Sequence, residues 1–201
     1  MNFFRQLFFM LNLFSVFFKL RSMIRITENL QLQPVLASDF ELLYDLMSEV
    51  YPPAYAHFWE DNGNWYVNSQ YSKEKIKEEL ENNNAEYYFI IFNNEIVGNF
   101  RFIWEEKLVN LDEEKQVKLH RLYLHPKTQG NGIGKNLVAW LIKLSVKKGY
   151  KIIWLDGMNE QPQAFEFYQK LGFQYFSHVF LNFNQMHDEF RKMSQLYLKV
   201  D

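Results

Sequence analysis

Three glycines stand at alternate positions near the middle of the chain, in the stretch "QGNGIGK". Gly130, Gly132 and Gly134 are three of only eight glycines among 201 residues, and an apolar helical pattern follows them directly. Glycine allows a backbone to approach a ligand closely, and the first amides of a helix have no partner inside it. Because the helix dipole favours negative charge at this end, the loop indicates a site for an anionic group such as a pyrophosphate. A tight strand-to-helix turn is the alternative.

The spacing of these glycines differs from that of two common phosphate-binding loops. A dinucleotide fingerprint has the pattern G-x-G-x-x-G, whereas the chain has G-x-G-x-G. A Walker A loop has the pattern G-x-x-x-x-G-K followed by Ser or Thr. Here three residues separate Gly130 from Gly134, and Asn136 follows Lys135. The sequence therefore argues against nucleotide hydrolysis.

The strand ahead of the glycines has an irregular apolar pattern. Val117 and Leu119 are apolar at odd positions, and the next leucines fall at even positions 122 and 124. The alternation thus slips by one residue around His120 and Arg121. A β-bulge has this effect, because it inserts an unpaired residue and separates the strand from its neighbour. Amides freed there could bind an extended ligand or polarise a carbonyl. A buried strand without regular alternation is the alternative.

The wider pattern of the chain predicts an α+β fold in which a mixed, mostly antiparallel sheet carries the bulged strand. We expect about seven strands flanked by four helices. Helical spacing covers residues 38–50, 72–84, 132–150 and 161–173. Alternating or buried runs indicate strands over residues 24–35, 85–92, 95–104, 115–126, 151–157, 174–183 and 193–200. Asn93-Asn94 is typical of a type I′ turn, and the aromatic residues 51–71 read as a loop.

The composition supports a single domain in a reducing cytoplasm. With 48% apolar and 18% aromatic residues, the chain can build a core. A net charge of −2, with acids and bases mixed, gives no basis for a nucleic-acid partner. The absence of cysteine excludes disulfides, cysteine-type zinc sites and thiol catalysis. We therefore expect a cytoplasmic protein without a metal site.

The first 22 residues differ from the rest of the chain. They contain seven of the twenty phenylalanines and three basic residues, but no acidic residue. They lack the small residues of a signal-peptide cleavage site, and their longest apolar run is too short to span a bilayer. We favour translation from Met23, which makes residues 1–22 a mis-assigned extension and residues 23–201 one domain with a net charge of −5. A hydrophobic anchor on a membrane surface is the alternative.

Two blocks of the sequence resemble the signatures of the GNAT superfamily of N-acetyltransferases. Gln129 begins a match to [Q/R]-x-x-G-x-[G/A], placed after a strand ending in "LYLHP" and at the start of a long helix. The downstream block "AFEFYQKLGF" fits the family pattern A-x-x-F-Y-x-x-x-G-F. The resemblance follows the element order over residues 23–200, and its motifs lie within residues 119–173. It implies the fold of this superfamily, with the bulged strand at the cofactor site.

The resemblance also implies acetyl-CoA as co-substrate. Its pyrophosphate is expected on the amides of the glycine loop, and its pantetheine arm along the backbone beside the bulge. The cofactor-binding residues expected on this basis are Leu122, Tyr123, Leu124, Gln129, Gly130, Asn131, Gly132, Ile133, Gly134, Lys135 and Gln161. Gln161 departs from the asparagine that the family often has at this position.

The resemblance assigns Tyr168 as the group that protonates the departing thiolate. A phenol with an unperturbed pKa of about 10 suits this leaving group. Members with a glutamate base on the bulged strand carry it near position 118, where this chain has Lys118. Acetyl transfer needs a neutral amine, so another base is required. His120, with an unperturbed pKa of about 6.5, is the first candidate, and Glu105 or Glu106 acting through water is the second.

The acceptor site is expected in the aromatic residues 51–71 and in the loop before the last strand. Aromatic rings beside adjacent carboxylates suit a cationic amine, through charge and cation–π attraction. The expected substrate-binding residues are Tyr51, Tyr55, His57, Trp59, Glu60 and Asp61, with His187, Asp188 and Glu189 as further contacts. The alternative is that the aromatic rings belong to the core and the acids face water.

These observations predict an N-acetyltransferase that transfers the acetyl group of acetyl-CoA to a primary amine. The acceptor is a small molecule, including a cationic, polyamine-like one, or a protein N-terminus. A non-catalytic acyl-CoA-binding module of the same fold is one alternative, and a membrane-associated protein defined by residues 1–22 is another. Dimers are common in this superfamily, so a homodimer is a further expectation.

Overall fold

The computed structural model describes residues 23–201, which contain one eight-stranded sheet. Its strands are β1 (Ile24–Arg25), β2 (Leu30–Pro34), β3 (Ala85–Phe92), β4 (Glu95–Trp104), β5 (Gln116–Leu124), β6 (Ile152–Met158), β7 (Gln174–Phe180) and β8 (Lys192–Lys199). Their spatial order is β1-β2-β3-β4-β5-β6-β8-β7. Neighbouring strands are antiparallel except for β5 and β6, which run parallel. The mixed, mostly antiparallel sheet confirms the predicted fold class.

Six α-helices pack on the sheet within these residues. They are α1 (Phe40–Val50), α2 (Pro52–Tyr55), α3 (Asn64–Gln70), α4 (Lys73–Glu81), α5 (Ile133–Lys147) and α6 (Pro162–Lys170). Successive residues of β3 point to opposite faces, so Phe89 joins the core under α1–α4 and Ile90 joins the core under α5 and α6. Helices thus cover both faces, as expected from the order of the elements.

Two segments contain more secondary structure than expected. Residues 24–35 form the hairpin of β1 and β2 instead of one strand. Residues 51–71, predicted to be a loop, contain α2 and α3. Pro52 presets the backbone of the first turn of α2, and Gly63, with φ at 87°, forms the start of α3. These short helices have no long amphipathic repeat, so the pattern did not indicate them.

The predicted turn between β3 and β4 is confirmed. Asn93 and Asn94 have φ values of 51° and 66°, the left-handed pair that a type I′ turn requires. Asparagine tolerates this conformation better than most residues. The turn fixes β4 beside β3 and therefore sets the position of β5 on the other side of β4.

The predicted bulge in β5 is also confirmed. Arg101 and Phe102 are consecutive on β4, but their partners on β5 are Arg121 and Leu119, which leaves His120 unpaired. β5 and β6 pair only over the first four residues of β5, and beyond the bulge β6 pairs with β8 alone. The two parallel strands therefore diverge at His120, and their divergence opens the centre of the sheet.

Between residues 23 and 201, no helix combines the length and the apolar character needed to cross a membrane. The predictions made for residues 1–22 lie outside the described residues.

Candidate functional site

A cavity of about 370 Å³ lies where β5 and β6 diverge. Its walls include the bulged segment of β5, the end of β6, the start of α6, and the aromatic residues of α2 and α3. The loop before β8 closes one side through Phe183 and Met186. The cavity therefore joins the bulged strand and α6, which carries the second sequence motif, to the expected acceptor region.

The three glycines of the loop have two different structural roles. Gly130 and Gly132 have φ values of 81° and 71°, in the left-handed region that residues other than glycine rarely adopt. Gly134 has ordinary helical geometry, but a Cβ atom there would lie 3.1 Å from the ring of Phe167 on α6. Gly134 therefore allows α5 and α6 to pack closely, while the other two shape the loop.

The loop presents free amides at the start of α5. The backbone amides of Gly130, Gly132 and the first three helical residues donate no hydrogen bond to any part of residues 23–201. Gln129, Asn131 and Lys135 are exposed, and the Asn131 side chain donates to the Thr128 carbonyl at 3.1 Å. Unpaired amides at a helix N-terminus fit an anionic group such as a pyrophosphate.

The backbone of β5 beyond the bulge offers an unpaired edge. Leu122, Tyr123 and Leu124 pair with β4 on one side, while no strand of residues 23–201 pairs with them on the other. On the paired side, Gly98 on β4 allows the two strands to approach closely, since a Cβ atom there would lie 2.0 Å from the Tyr123 carbonyl oxygen. The free edge fits the extended amide-bearing arm of a cofactor. The sequence analysis missed Gly98, although a glycine inside a strand often marks such a close approach.

Tyr168 projects from α6 into the cavity. Its ring packs against Phe167 and Phe173, with centroids 5.0 and 5.4 Å apart. Burial raises the pKa of the Tyr168 phenol above its ordinary value, so the hydroxyl is protonated at neutral pH and is a weaker acid than a phenol in water. Gln161, at the start of α6, lines the cavity and donates a hydrogen bond to the Ala54 carbonyl, which ties α6 to α2.

His120 lines the cavity, but its surroundings disfavour the predicted role as base. Arg101 Nη1 lies 2.6 Å from His120 Nδ1, and because a guanidinium can only donate, Nδ1 acts as the acceptor. Burial, together with the nearby charges of Arg121, Arg101 and Lys118, lowers the pKa of His120 to about 2. A ring with this pKa is neutral at physiological pH and accepts a proton poorly. These surroundings disfavour His120 as the base, and its role stays a prediction.

Glu105, the second candidate base, does not line the cavity. It is exposed just after the end of β4, with φ at 61°, and its amide donates to the Gln116 carbonyl at 2.9 Å. Gln116 begins β5, whereas the bulge lies four residues further along that strand. The strand register thus keeps this carboxylate away from the bulge.

A carboxylate that the sequence analysis missed does line the cavity. Asp156 on β6 follows the last residue paired with β5, and its Oδ2 lies 2.8 Å from Lys118 Nζ. Gln195 Nε2 donates to Asp156 Oδ1 at 3.2 Å. Lys118 also lies over the Trp154 ring, 4.4 Å from its centroid. The lysine at position 118 was the available signal for a nearby carboxylate, because a partly buried lysine needs a partner.

The expected acceptor residues divide into two groups. Tyr51, Tyr55 and Trp59 line the cavity, together with Tyr66. The rings of Tyr51 and Tyr66 stack 4.2 Å apart, and Trp59 Nε1 donates to the Tyr51 hydroxyl at 2.9 Å. These contacts hold the aromatic wall in place.

The polar members of the expected acceptor set do not line the cavity. Glu60 and His57 are exposed, and the Asp61 carboxylate accepts from the amides of Gly63 and Trp65 at the start of α3. An aspartate at a helix start is typical of capping. The Asp188 carboxylate of the late loop accepts from Arg191 at 2.7 Å. Of the further expected contacts, His187, Asp188 and Glu189 do not line the cavity.

A buried ion cluster supports the bulge from the α4 side of the sheet. Glu79 on α4 contacts Arg121 at 2.7 Å and Arg101 at 3.7 Å, and all three side chains are almost fully buried. The Arg121 guanidinium also lies 4.4 Å from the centroid of the Tyr71 ring. These contacts hold both arginines behind the bulge and set the environment of His120.

Comparisons with known proteins agree with this geometry. An uncharacterized N-acetyltransferase of Methanocaldococcus jannaschii is 32% identical over 65 residues, which cover 32% of this chain and 29% of that protein. The chain thus spans less than a third of the length of this relative.

Solved structures share the fold at low sequence identity. PaiA N-acetyltransferase from Thermoplasma acidophilum in complex with coenzyme A has a TM-score of 0.65 at 22% identity, covering 85% of this chain and 98% of that one. Spermidine N-acetyltransferase from Vibrio cholerae in complex with CoA and spermine has a TM-score of 0.61 at 16% identity, covering 86% and 96%. The model of the acetyltransferase (GNAT) family matches residues 40–173, so the chain belongs to this family.

Proposed function

We propose that this protein transfers the acetyl group of acetyl-CoA to a primary amine, on a small molecule or at a protein N-terminus. Three features support this function. They are the free amides at the start of α5, the unpaired edge of β5, and the Tyr168 hydroxyl in the same cavity. The relatives and structural neighbours that resemble the chain include N-acetyltransferases bound to coenzyme A.

The observation that carries the proposal is the position of Tyr168 relative to the diverging strands. An arm laid along the free edge of β5 would bring its end into the cavity that Tyr168 lines. The Tyr168 phenol is protonated at neutral pH, as an ordinary phenol is, and can therefore donate to a departing thiolate.

The proposed transfer proceeds without a covalent enzyme intermediate. The neutral amine nitrogen attacks the thioester carbonyl carbon, and the tetrahedral intermediate collapses with cleavage of the carbon–sulfur bond. Tyr168 gives a proton to the sulfur. The nitrogen releases one proton to solvent, and solvent returns a proton to the Tyr168 phenolate. The products are the N-acetylated amine and free coenzyme A thiol. We propose direct attack because residues 23–201 have no cysteine that could carry the acetyl group.

An assay of thiol release tests this function. The full chain is mixed with acetyl-CoA and a panel of primary amines, and free thiol is followed over time while acetyl-CoA binding is measured separately. We expect amine-dependent release well above the rate without amine. Tight acetyl-CoA binding with no release on any amine would instead indicate the alternative, a non-catalytic acyl-CoA-binding module.

A further inference from the structure

We infer that the acceptor is a small monoamine with an aromatic or bulky apolar body, whose amino group binds Asp156. This inference rests on the proposed function and names the substrate class of the same cavity. It differs from the polyamine-like acceptor that the sequence indicated, because the carboxylates on which that expectation depended lie elsewhere.

The acceptor side of the cavity is apolar and aromatic. Besides the tyrosines and the tryptophan already described, it is lined by Phe58, Leu181, Phe183, Met186 and Met193. Burial raises the pKa of Tyr55 to about 12, and like an ordinary phenol it carries no charge at neutral pH. Methionine and aromatic side chains pack well against rings and flexible apolar groups. The wall therefore offers a large apolar contact surface to the body of an acceptor.

The charged residues that line the cavity also favour an acceptor with a single amino group. Asp156 is the one carboxylate among the lining residues between positions 23 and 201, whereas Lys118 and Arg121 contribute positive charge. Arg121 is partnered by Glu79 behind the sheet, so its charge is compensated there. A polyamine would place further ammonium groups beside Lys118 without a second carboxylate to receive them. Like charges in a partly desolvated site repel, which disfavours such an acceptor.

Asp156 has acceptor capacity left for one amino group. Lys118 occupies Oδ2 and Gln195 occupies Oδ1, but a carboxylate has about four lone-pair sites. The side chain is 17% exposed, so it is both accessible from the cavity and partly desolvated. It also lies one residue beyond the point where β5 and β6 separate. An amino group bound there would lie at the divergence of the strands, on the same cavity as Tyr168.

The acceptor ranking of the full chain tests the inference. Thiol release from acetyl-CoA is measured with 2-phenylethylamine, propylamine, spermidine and a short peptide with a free N-terminal phenylalanine. We expect kcat/KM for 2-phenylethylamine to exceed the other values by about tenfold or more, because a buried ring adds apolar contact. Preference for spermidine or the peptide, or equal use of propylamine, would overturn the inference and leave the proposed function intact. No release with any amine would refute the proposed function itself.

The variant Asp156→Asn tests the contact with the amino group. It should raise the KM for 2-phenylethylamine by about tenfold, since a charge-assisted hydrogen bond is lost, and leave the KM for acetyl-CoA unchanged. Asp112→Asn, on an exposed loop outside the cavity, is the matched control and should change neither value. An unchanged amine KM in a folded Asp156→Asn protein would contradict the inference. If that variant does not fold, the acceptor ranking of the unmodified chain decides the question.

Discussion

At the scale of single residues, the glycines of the loop are required for two different reasons, backbone conformation and packing. Gly130 and Gly132 adopt left-handed backbone, whereas Gly134 only provides space for Phe167. The sequence showed three equivalent glycines at regular spacing. The structure distinguishes them by φ and by the atoms that a Cβ atom would meet, neither of which a sequence pattern contains.

The loop glycines allow a matched test of cofactor binding. Gly132→Ala and Gly149→Ala both place a side chain at a φ above 70°, with no close contact to relieve or worsen the strain. Each should lower the free energy of unfolding by about 1–2 kcal/mol, measured by denaturant unfolding. Only Gly132→Ala should also weaken acetyl-CoA binding, because Gly149 lies at the far end of α5. Equal acetyl-CoA affinity of the two variants would contradict the role of the loop.

His120 should make the stability of the protein depend on pH. Its pKa of about 2 in the folded chain lies below the ordinary value of 6.5, so the unfolded state takes up the proton first as the pH falls. The unfolding free energy should therefore decrease below pH 6.5, by about 2 kcal/mol on reaching pH 5. The change is measured as the difference between the native protein and His120→Gln, whose side-chain oxygen can still accept from Arg101. Parallel stability curves for the two proteins would contradict this environment of His120.

At the scale of elements, α4 is joined to the bulged strand through one buried carboxylate. Glu79→Gln would leave two buried guanidinium groups, those of Arg101 and Arg121, without their counter-charge. We expect a loss of about 3–5 kcal/mol in the free energy of unfolding. Glu78→Gln removes an exposed ion pair with Lys75 on the same helix and should cost well under about 1 kcal/mol. Similar losses for the two variants would show that the buried cluster does not support the bulge.

The elements show what sequence patterns can and cannot predict. The slip in apolar alternation located the bulge correctly, because the side chains of a strand must alternate between two faces. The helices within residues 51–71 were missed, since each is too short for an amphipathic repeat. Asp156 was missed for another reason. Its position in the site depends on the contact with Lys118 of a neighbouring strand, and sheet topology sets that contact.

At the scale of the whole molecule, the two large cores and the cavity walls described above are formed by residues within 23–201. We therefore expect a chain that starts at Met23 to unfold at the same temperature as the full chain and to keep the same kcat/KM. Calorimetry and the thiol-release assay on the two forms check this expectation. Aggregation or loss of activity in the shorter form would favour a working role for residues 1–22, such as a membrane-surface anchor.

The central claim is that acetyl transfer to an amine takes place at the divergence of β5 and β6, with Tyr168 as the proton donor. A single-turnover experiment with acetyl-labelled acetyl-CoA tests it most directly, with mass spectrometry of the recovered amine. The account predicts label on the amine nitrogen, at a rate about 100-fold lower for Tyr168→Phe and with unchanged acetyl-CoA affinity. Label that never reaches the amine, or an equal loss of affinity and rate in Tyr168→Phe, would contradict it.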